Sequence, residues 1–201
     1  DVAAFFEDYL IEDREGVLQI VPSQSPENNF VGCQVMPAAL VVSSACDIQL
    51  LIDLLTHARQ AAKILDIDHE KQRVWNDILH RLPPMKIGSR GQLLEWGEEY
   101  EECQPDHRHI SHLFGFFPGD QLDPDSTPDL FAAATVSLEN RLSCGGGHTE
   151  WSRAWAACCY ARCAEGEKAW EQLTALLRDY VTVSLLTLHP PGIFQVDGNL
   201  G

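Results

Sequence analysis

A chain of 201 residues, 45% hydrophobic and 22% charged, has the composition of a folded domain or a large piece of one, not of a disordered tail. Its 30 acidic residues against 14 basic ones give a formal net charge of -16. That balance excludes nucleic acid and anionic membrane surfaces as partners, because both need clustered Lys and Arg, and it leaves a neutral ligand as the best fit.

The opening Asp1-Val2-Ala3-Ala4-Phe5-Phe6-Glu7 lacks the starting Met and basic region of a signal peptide and reads as the middle of a helix. The closing Asp197-Gly198-Asn199-Leu200-Gly201 has no tail composition, so a fragment is expected. Phe5, Phe6, Tyr9 and Leu10 have helical spacing, and the helix is expected to run to Glu15-Gly16. Val17 to Val21 alternates enough for a short strand, and Pro22-Ser23-Gln24-Ser25-Pro26-Glu27-Asn28 is a turn-rich loop. The run around Val35–Val42 is too short for a membrane span of roughly 18–20 residues and is broken by Pro37.

Ser44 with Asp47 starts a long helix whose buried stripe is Ile48, Leu51, Ile52, Leu55, Ala58, Ala62 and Leu65. A second helix carries Val74, Trp75, Ile78, Leu79 and Leu82 and stops at Pro83-Pro84. Residues 85–125 have no strong period. Ser126 to Leu142 is helical, with Pro128 in its first turn. Thr149 caps a further helix through Trp151, Trp155 and Cys158, and another follows with Trp170, Leu173, Leu177 and Val181 as its apolar stripe. The last twenty residues read as a Pro- and Gly-marked loop. Helix pairs on short turns, with chemistry on the longer loops, point to a single all-α unit, either a hairpin array or an α/α toroid. No fixed-length repeat supports a solenoid.

The seven cysteines, Cys33, Cys46, Cys103, Cys144, Cys158, Cys159 and Cys163, form no CxxC pairs, which removes zinc-ribbon spacing. Cys158, Cys159 and Cys163 read as small apolar helix filler. A bridge such as Cys103–Cys144 would suit a secreted protein, although the spacing selects no partners.

The chemistry gathers in two stretches. Gln92-Leu93-Leu94-Glu95-Trp96 sets a carboxyl beside an indole, a neighbourhood in which a carboxyl can keep a proton for donation, so Glu95 is a general-acid candidate. His107-Arg108-His109-Ile110-Ser111-His112 packs three imidazoles and a guanidinium into six residues, which is costly in a plain core and natural in the wall of a polar pocket. Its H-x-H-x-x-H order resembles the metallo-β-lactamase metal pattern with Ser111 where that pattern has Asp. The alternatives are structural histidines, or recognition of substrate hydroxyls by His and Arg. Glu98, Glu99, Glu101 and Glu102 read as solvated surface. Gly145-Gly146-Gly147 has no following GK[ST] and is a turn, not a phosphate loop. Arg153 and Trp155 read as packing. Asp197, on a turn between apolar residues, is the candidate partner of Glu95 in an acid/base pair.

Several segments, in order along nearly the whole chain, resemble glycoside hydrolase family 95, the inverting α-L-fucosidases. They are Pro22–Asn28, Gln92–Trp96, His107–Gly115, Phe117-Pro118-Gly119, Trp151-Ser152-Arg153-Ala154-Trp155, His189-Pro190-Pro191 and Phe194–Asn199. The resemblance implies an (α/α)6 barrel, of which residues 1–201 would form a C-terminal portion. It places Glu95 on the general acid and Asp197 on the carboxylate that activates water. Arg108 and His109 fall on groups that hold fucose hydroxyls, with His112, His189, Asn199 and Trp96 lining the same pocket. It further implies a fucosylated glycan as substrate, export from the cell, and no metal or organic cofactor. The family's catalytic asparagine pair has no Asn-x-Asn match here, so the isolated chain is expected to be inactive or nearly so. The link Pro191-Gly192-Ile193-Phe194 is also longer than the family's usual one. A metal-dependent hydrolase using His107, His109 and His112, or a non-catalytic sugar-binding helical module, are the competing readings.

Overall fold

The computed structural model describes residues 1–32 and 36–195. Helix α1 (Val2–Tyr9) stops earlier than its spacing suggests, because Leu10 turns extended at φ -67° and ψ 136°. Ile11–Glu12 (β1) then pairs antiparallel with Leu18–Gln19 (β2). Between them Asp13 Oδ1 accepts the N–H groups of Glu15 and Val17 at 2.9 and 3.0 Å, and Gly16 sits at φ +84°. The aspartate offers the backbone a turn in place of a further helical turn, and the glycine supplies the left-handed position it needs.

The turn-rich loop that follows forms two more short ladders. Ser23–Gln24 (β3) pairs with Leu40–Val41 (β6), and Phe30–Val31 (β4) pairs with Pro37–Ala38 (β5). Ser44 then accepts the Asp47 N–H at 3.2 Å and caps α2 (Ala45–Leu65) as its sequence promised. Helix α3 (His69–Arg81) folds back on α2 and ends where Leu82 goes extended ahead of Pro83-Pro84. Ile48, Leu51, Leu55 and Ala62 of α2 meet Trp75 and Ile78 of α3, with Ala3, Leu18 and Ile20, in the first of two cores. Full burial of Leu51 and Leu55 contributes about 1.5–3 kcal/mol each. Leu65, at the end of the same stripe, stays exposed.

Residues 85–125 hold no α-helix; their one helical turn is the 3-10 segment Ser111–Leu113. Buried Gln49 fastens that turn to α2. Its amide donates to His112 O at 2.7 Å and accepts from Gly115 N at 2.8 Å, and its backbone carbonyl accepts from Gln121 at 2.8 Å. Helix α4 (Pro128–Ser143) begins on its proline, and the pair α5 (Glu150–Arg162) and α6 (Gly166–Asp179) closes the second core. Leu93, Leu113, Phe116, Leu138, Ala156 and Cys159 lie at its centre.

Helix α6 corrects one reading. Trp170, Leu173 and Leu177 are exposed, whereas Ala169, Gln172, Ala175 and Leu176 face inward. Helices α5 and α6 pack on each other, and Ala169 of α6 joins Ala156, Cys159 and Tyr160 of α5 in the second core. The large apolar side chains are left facing away. The last described stretch is likewise not a plain loop, since Leu188–His189 (β7) pairs with Ile193–Phe194 (β8). Cys103 and Cys144 are free thiols, so the suggested bridge is not formed.

The result is a helix-rich fold in which four two-stranded ladders supplement six helices among the described residues, and those helices do not close a barrel. No described helix is long and apolar enough to cross a membrane.

Candidate active site

Three segments converge at the N-terminal side of α5 and beside α4: the loop through Ser25–Asn28, the stretch Glu95–Cys103, and His107–His112. What joins them is Arg141, only 3% exposed on α4. Its Nη2 donates to Glu95 Oε2 at 2.9 Å and to Glu102 Oε2 at 2.8 Å. Its Nη1 donates to the carbonyl of His107 at 3.3 Å and to that of His109.

Glu95 is buried, but its surroundings are polar. Oε1 accepts the Ser25 hydroxyl at 2.8 Å, and Oε2 accepts Asn28 Nδ2 at 3.4 Å beside the Arg141 contact. The Trp96 ring is directed elsewhere and packs edge-on against Phe30, centroids 5.3 Å apart, and against Tyr100. The apolar neighbourhood expected from the Glu95-Trp96 dipeptide is therefore replaced by an ion-paired one, and Trp96 is an enclosed packing residue, 4% exposed. Glu95, Trp96, His112 and Arg141 border a cleft of about 400 Å³ together with Glu102, Arg90 and Asn140.

The histidines split between environments. His112 is 3% exposed, its Nδ1 is 3.6 Å from Glu95 Oε2 without a hydrogen bond, and burial with Arg141 alongside pushes its pKa down to about 3. His107 accepts the His109 N–H on Nδ1 at 2.9 Å; burial, then His109 and the two nearby guanidinium groups, brings its pKa to about 4. Both rings are neutral at physiological pH. His109, lowered by burial and then by Arg108, stands edge-on to Trp151 at 4.6 Å. Among the described residues no three His, Cys, Asp or Glu side chains gather as a metal-holding group, which removes the geometry that the H-x-H-x-x-H reading required.

Arg108, His109 and His189 do come together. They line a second pocket, of about 320 Å³, with Glu27, Thr149, Trp151, Ile193 and Gln195. Glu27 Oε2 accepts from Arg108 Nη2 at 2.5 Å and lies 4.0 Å from His109 Nε2. Thr149 sets the pocket floor: its hydroxyl accepts Ser152 N–H and Ser152 returns the bond to Thr149 N–H, both at 3.1 Å, which fixes the start of α5 and so the place of Trp151. Asp197 and Asn199 lie outside the described residues, two and four positions beyond Gln195.

Glu27, Trp151, Thr149 and Arg141 were not singled out as site residues from sequence. Arg141 carried a signal: it follows Ala134, Ser137 and Leu138 at helical spacing on the buried face of α4, where a lone cation needs an anion. Glu27 lay inside a loop noted only for its turn residues.

A family model described as the glycosyl hydrolase family 95 catalytic domain matches residues 1–201. Alpha-L-fucosidase 2 of Arabidopsis thaliana is 33% identical over 217 residues, covering 98% of this chain and 24% of that protein. Probable alpha-fucosidase A of Aspergillus oryzae is 31% identical, covering 76% of this chain and 23% of its own length. The Aspergillus niger protein of the same name is 26% identical over 99% of this chain and 26% of its own length. The chain thus spans about a quarter of the length of the curated relatives it matches.

Proposed function

The chain belongs to glycosyl hydrolase family 95, and from that membership we propose that the protein hydrolyses terminal α-L-fucosyl bonds of glycans with inversion. The observation that carries this reading is the meeting of Arg108, His109 and His189 on the 320 Å³ pocket that also holds Glu27. A guanidinium and two imidazoles are good partners for sugar hydroxyls, and Trp151 with Ile193 offers the apolar wall that the methyl group of a 6-deoxy sugar needs.

Glu95, which the family resemblance in the sequence places on the general acid, is proposed as the acid; it borders the 400 Å³ cleft with Trp96, His112 and Arg141. Ser25 and Asn28 donate to its two oxygens and hold the carboxyl in one orientation. Glu27, in the neighbouring pocket, is ion-paired with Arg108 at 2.5 Å and stands in that pocket's wall. Asp197 is proposed as the carboxylate that activates water, and inversion requires it at roughly 6.5–9.5 Å from the acid. Arg108, His109, His189 and Asn199 would hold the sugar. His112 and Trp96 border the cleft beside Glu95.

The (α/α)6 barrel belongs to the whole protein in this proposal, with the described helices as one sector, and the 201 residues alone are inactive or nearly so. Secretion and independence of cofactors follow from the same family reading.

The test is on the full-length enzyme with an aryl α-L-fucoside and proton NMR of the released sugar, comparing Glu27→Gln and Glu95→Gln. Release of β-L-fucose that Glu95→Gln lowers by three or more orders of magnitude, with Glu27→Gln largely active, supports the proposal. The same loss in Glu27→Gln, with Glu95→Gln active, removes Glu95 as the acid. Fucoside binding without product would mark a sugar-binding module.

A further inference from the structure

The 400 Å³ cleft beside Glu95 carries more polar and aromatic groups than proton donation needs. Two of them are buried in its wall. Trp96 and His112 are 4% and 3% exposed, and among the described residues neither Trp96 Nε1 nor His112 Nδ1 has a hydrogen-bond partner. A buried indole N–H or imidazole nitrogen left unpaired is costly, and a hydroxyl entering the cleft can serve either, because it both donates and accepts. Other groups stand at the rim. Tyr100 is 40% exposed; Phe30 stacks on its ring at 4.3 Å between centroids and Trp96 stands across it at 6.3 Å, so the ring is held in place with part of its surface open. Asn140 adds a carboxamide to the same wall. Five carboxylates, Glu95, Glu98, Glu99, Glu101 and Glu102, line the cleft against the guanidiniums of Arg90 and Arg141, and Arg141 is already shared by Glu95 and Glu102.

We propose that this cleft is the subsite for the sugar from which fucose is released, and that it selects a neutral one. Tyr100 is the platform for the sugar's apolar face, and Trp96 Nε1, His112 and Asn140 are the partners of its hydroxyls. This rests on the reading that Glu95 is the acid. An acid that protonates the glycosidic oxygen stands between the two sugars it separates, so a cleft bordered by Glu95 and set apart from the Arg108 and His109 pocket falls to the leaving sugar. The excess of carboxylates assigns the class: a leaving glycan bearing a carboxylate or sulfate would meet like charge at the rim, whereas a neutral one meets hydrogen-bond acceptors.

The test uses the full-length enzyme with Tyr100→Ala, Asn140→Ala and Glu101→Gln. Its substrates are α-L-fucosyl fluoride, whose leaving group is a single atom, fucosyllactose, and fucosyllactose sulfated on its lactose part. Binding of lactose alone is followed by proton NMR titration. Tyr100→Ala should lower the ratio of kcat/KM for fucosyllactose to that for the fluoride about tenfold and weaken lactose binding by a similar factor. Asn140→Ala should do the same by about threefold. At low salt the sulfated substrate should be turned over about tenfold less efficiently than the neutral one, and the gap should narrow with added salt and in Glu101→Gln. If Tyr100→Ala does not fold, Asn140→Ala must show both changes at its smaller amplitude. An unchanged ratio with lactose binding intact in the folded variants overturns the proposal. Equal turnover of the sulfated and neutral substrates at low salt overturns the selection of a neutral sugar. Should the fluoride not be hydrolysed at all, the fucosidase reading fails, while the cleft as a sugar site still stands or falls on the lactose titration.

Discussion

Arg108 Nη2 stands 2.5 Å from Glu27 Oε2, across 81 residues of chain. The pair is open to solvent, with side chains 30% and 55% exposed, and a pair so placed contributes little to stability. Its value is as a preset donor and acceptor at a pocket wall. Arg108→Lys keeps the charge and loses the planar fork, so KM for an α-L-fucoside should rise about tenfold or more while the unfolding free energy moves by less than about 0.5 kcal/mol. Steady-state kinetics beside a urea melt of the full-length enzyme checks this. A large loss of stability with unchanged KM would mean that Arg108 is a structural tie.

The histidine cluster makes the fold acid-sensitive in a defined window. Burial, with cationic neighbours adding to it, holds His107 near a pKa of about 4 and His112 near about 3, against an ordinary value of 6.5. Between pH 6.5 and about 4 the unfolded chain takes up protons at these positions and the native one does not, so the stability they confer is whole above 6.5 and lost as pH falls. The fall should amount to a few kcal/mol, and His112→Gln should flatten part of it. Urea midpoints at about pH 7.5, 5.5 and 4.5 provide the measurement. Identical profiles for the two proteins would show that His112 titrates normally.

What could be read ahead of the structure follows from which interactions are local. The caps at Ser44 and Thr149, the proline start of α4 and the α2 stripe depend on residues a few positions apart, and all are present. The meeting of Arg108, His109 and His189 was expected only through the family resemblance, and it occurs. The placement of Glu27 against Arg108 and His109 was hidden because those partners lie 81 and 82 residues away. The surroundings of Glu95 were not legible from the Glu95-Trp96 dipeptide for the same reason: the carboxyl meets Arg141, 46 residues on, and the indole turns to Phe30. On α6 the apolar period was real, but the face packed against α5 is the adjacent one. Asp197 and Asn199 lie outside the described residues, so their part rests on the family pattern.

That choice of face has a direct consequence. Leu138 of α4 is fully buried in the second core, whereas Trp170 is 63% exposed on α6. In the 201-residue chain Leu138→Ala should cost about 2–5 kcal/mol and Trp170→Ala less than about 0.5 kcal/mol, the reverse of a ranking by side-chain size. Denaturant unfolding of the two variants decides it. A cost for Trp170→Ala equal to that for Leu138→Ala would mean that α6 packs by its large apolar stripe after all.

Thr149 joins fold and pocket in one side chain. It is fully buried, and its reciprocal bonds with Ser152 at 3.1 Å satisfy two N–H groups at the start of α5, two residues before Trp151 enters the pocket wall. Removing the hydroxyl leaves the Ser152 N–H unpaired in a closed space, which costs about 1–2 kcal/mol at a helix N-terminus. For a chain of this size each kcal/mol lowers Tm by about 2–4 °C. Thr149→Ala should therefore lose roughly 2–8 °C and, by loosening the first turn of α5, weaken fucoside binding through Trp151. Thr149→Ser keeps the acceptor and should retain most of both properties. Calorimetry and KM for the two variants separate the contributions. If Thr149→Ser is as impaired as Thr149→Ala, the methyl group and its packing, not the cap, hold α5 in place.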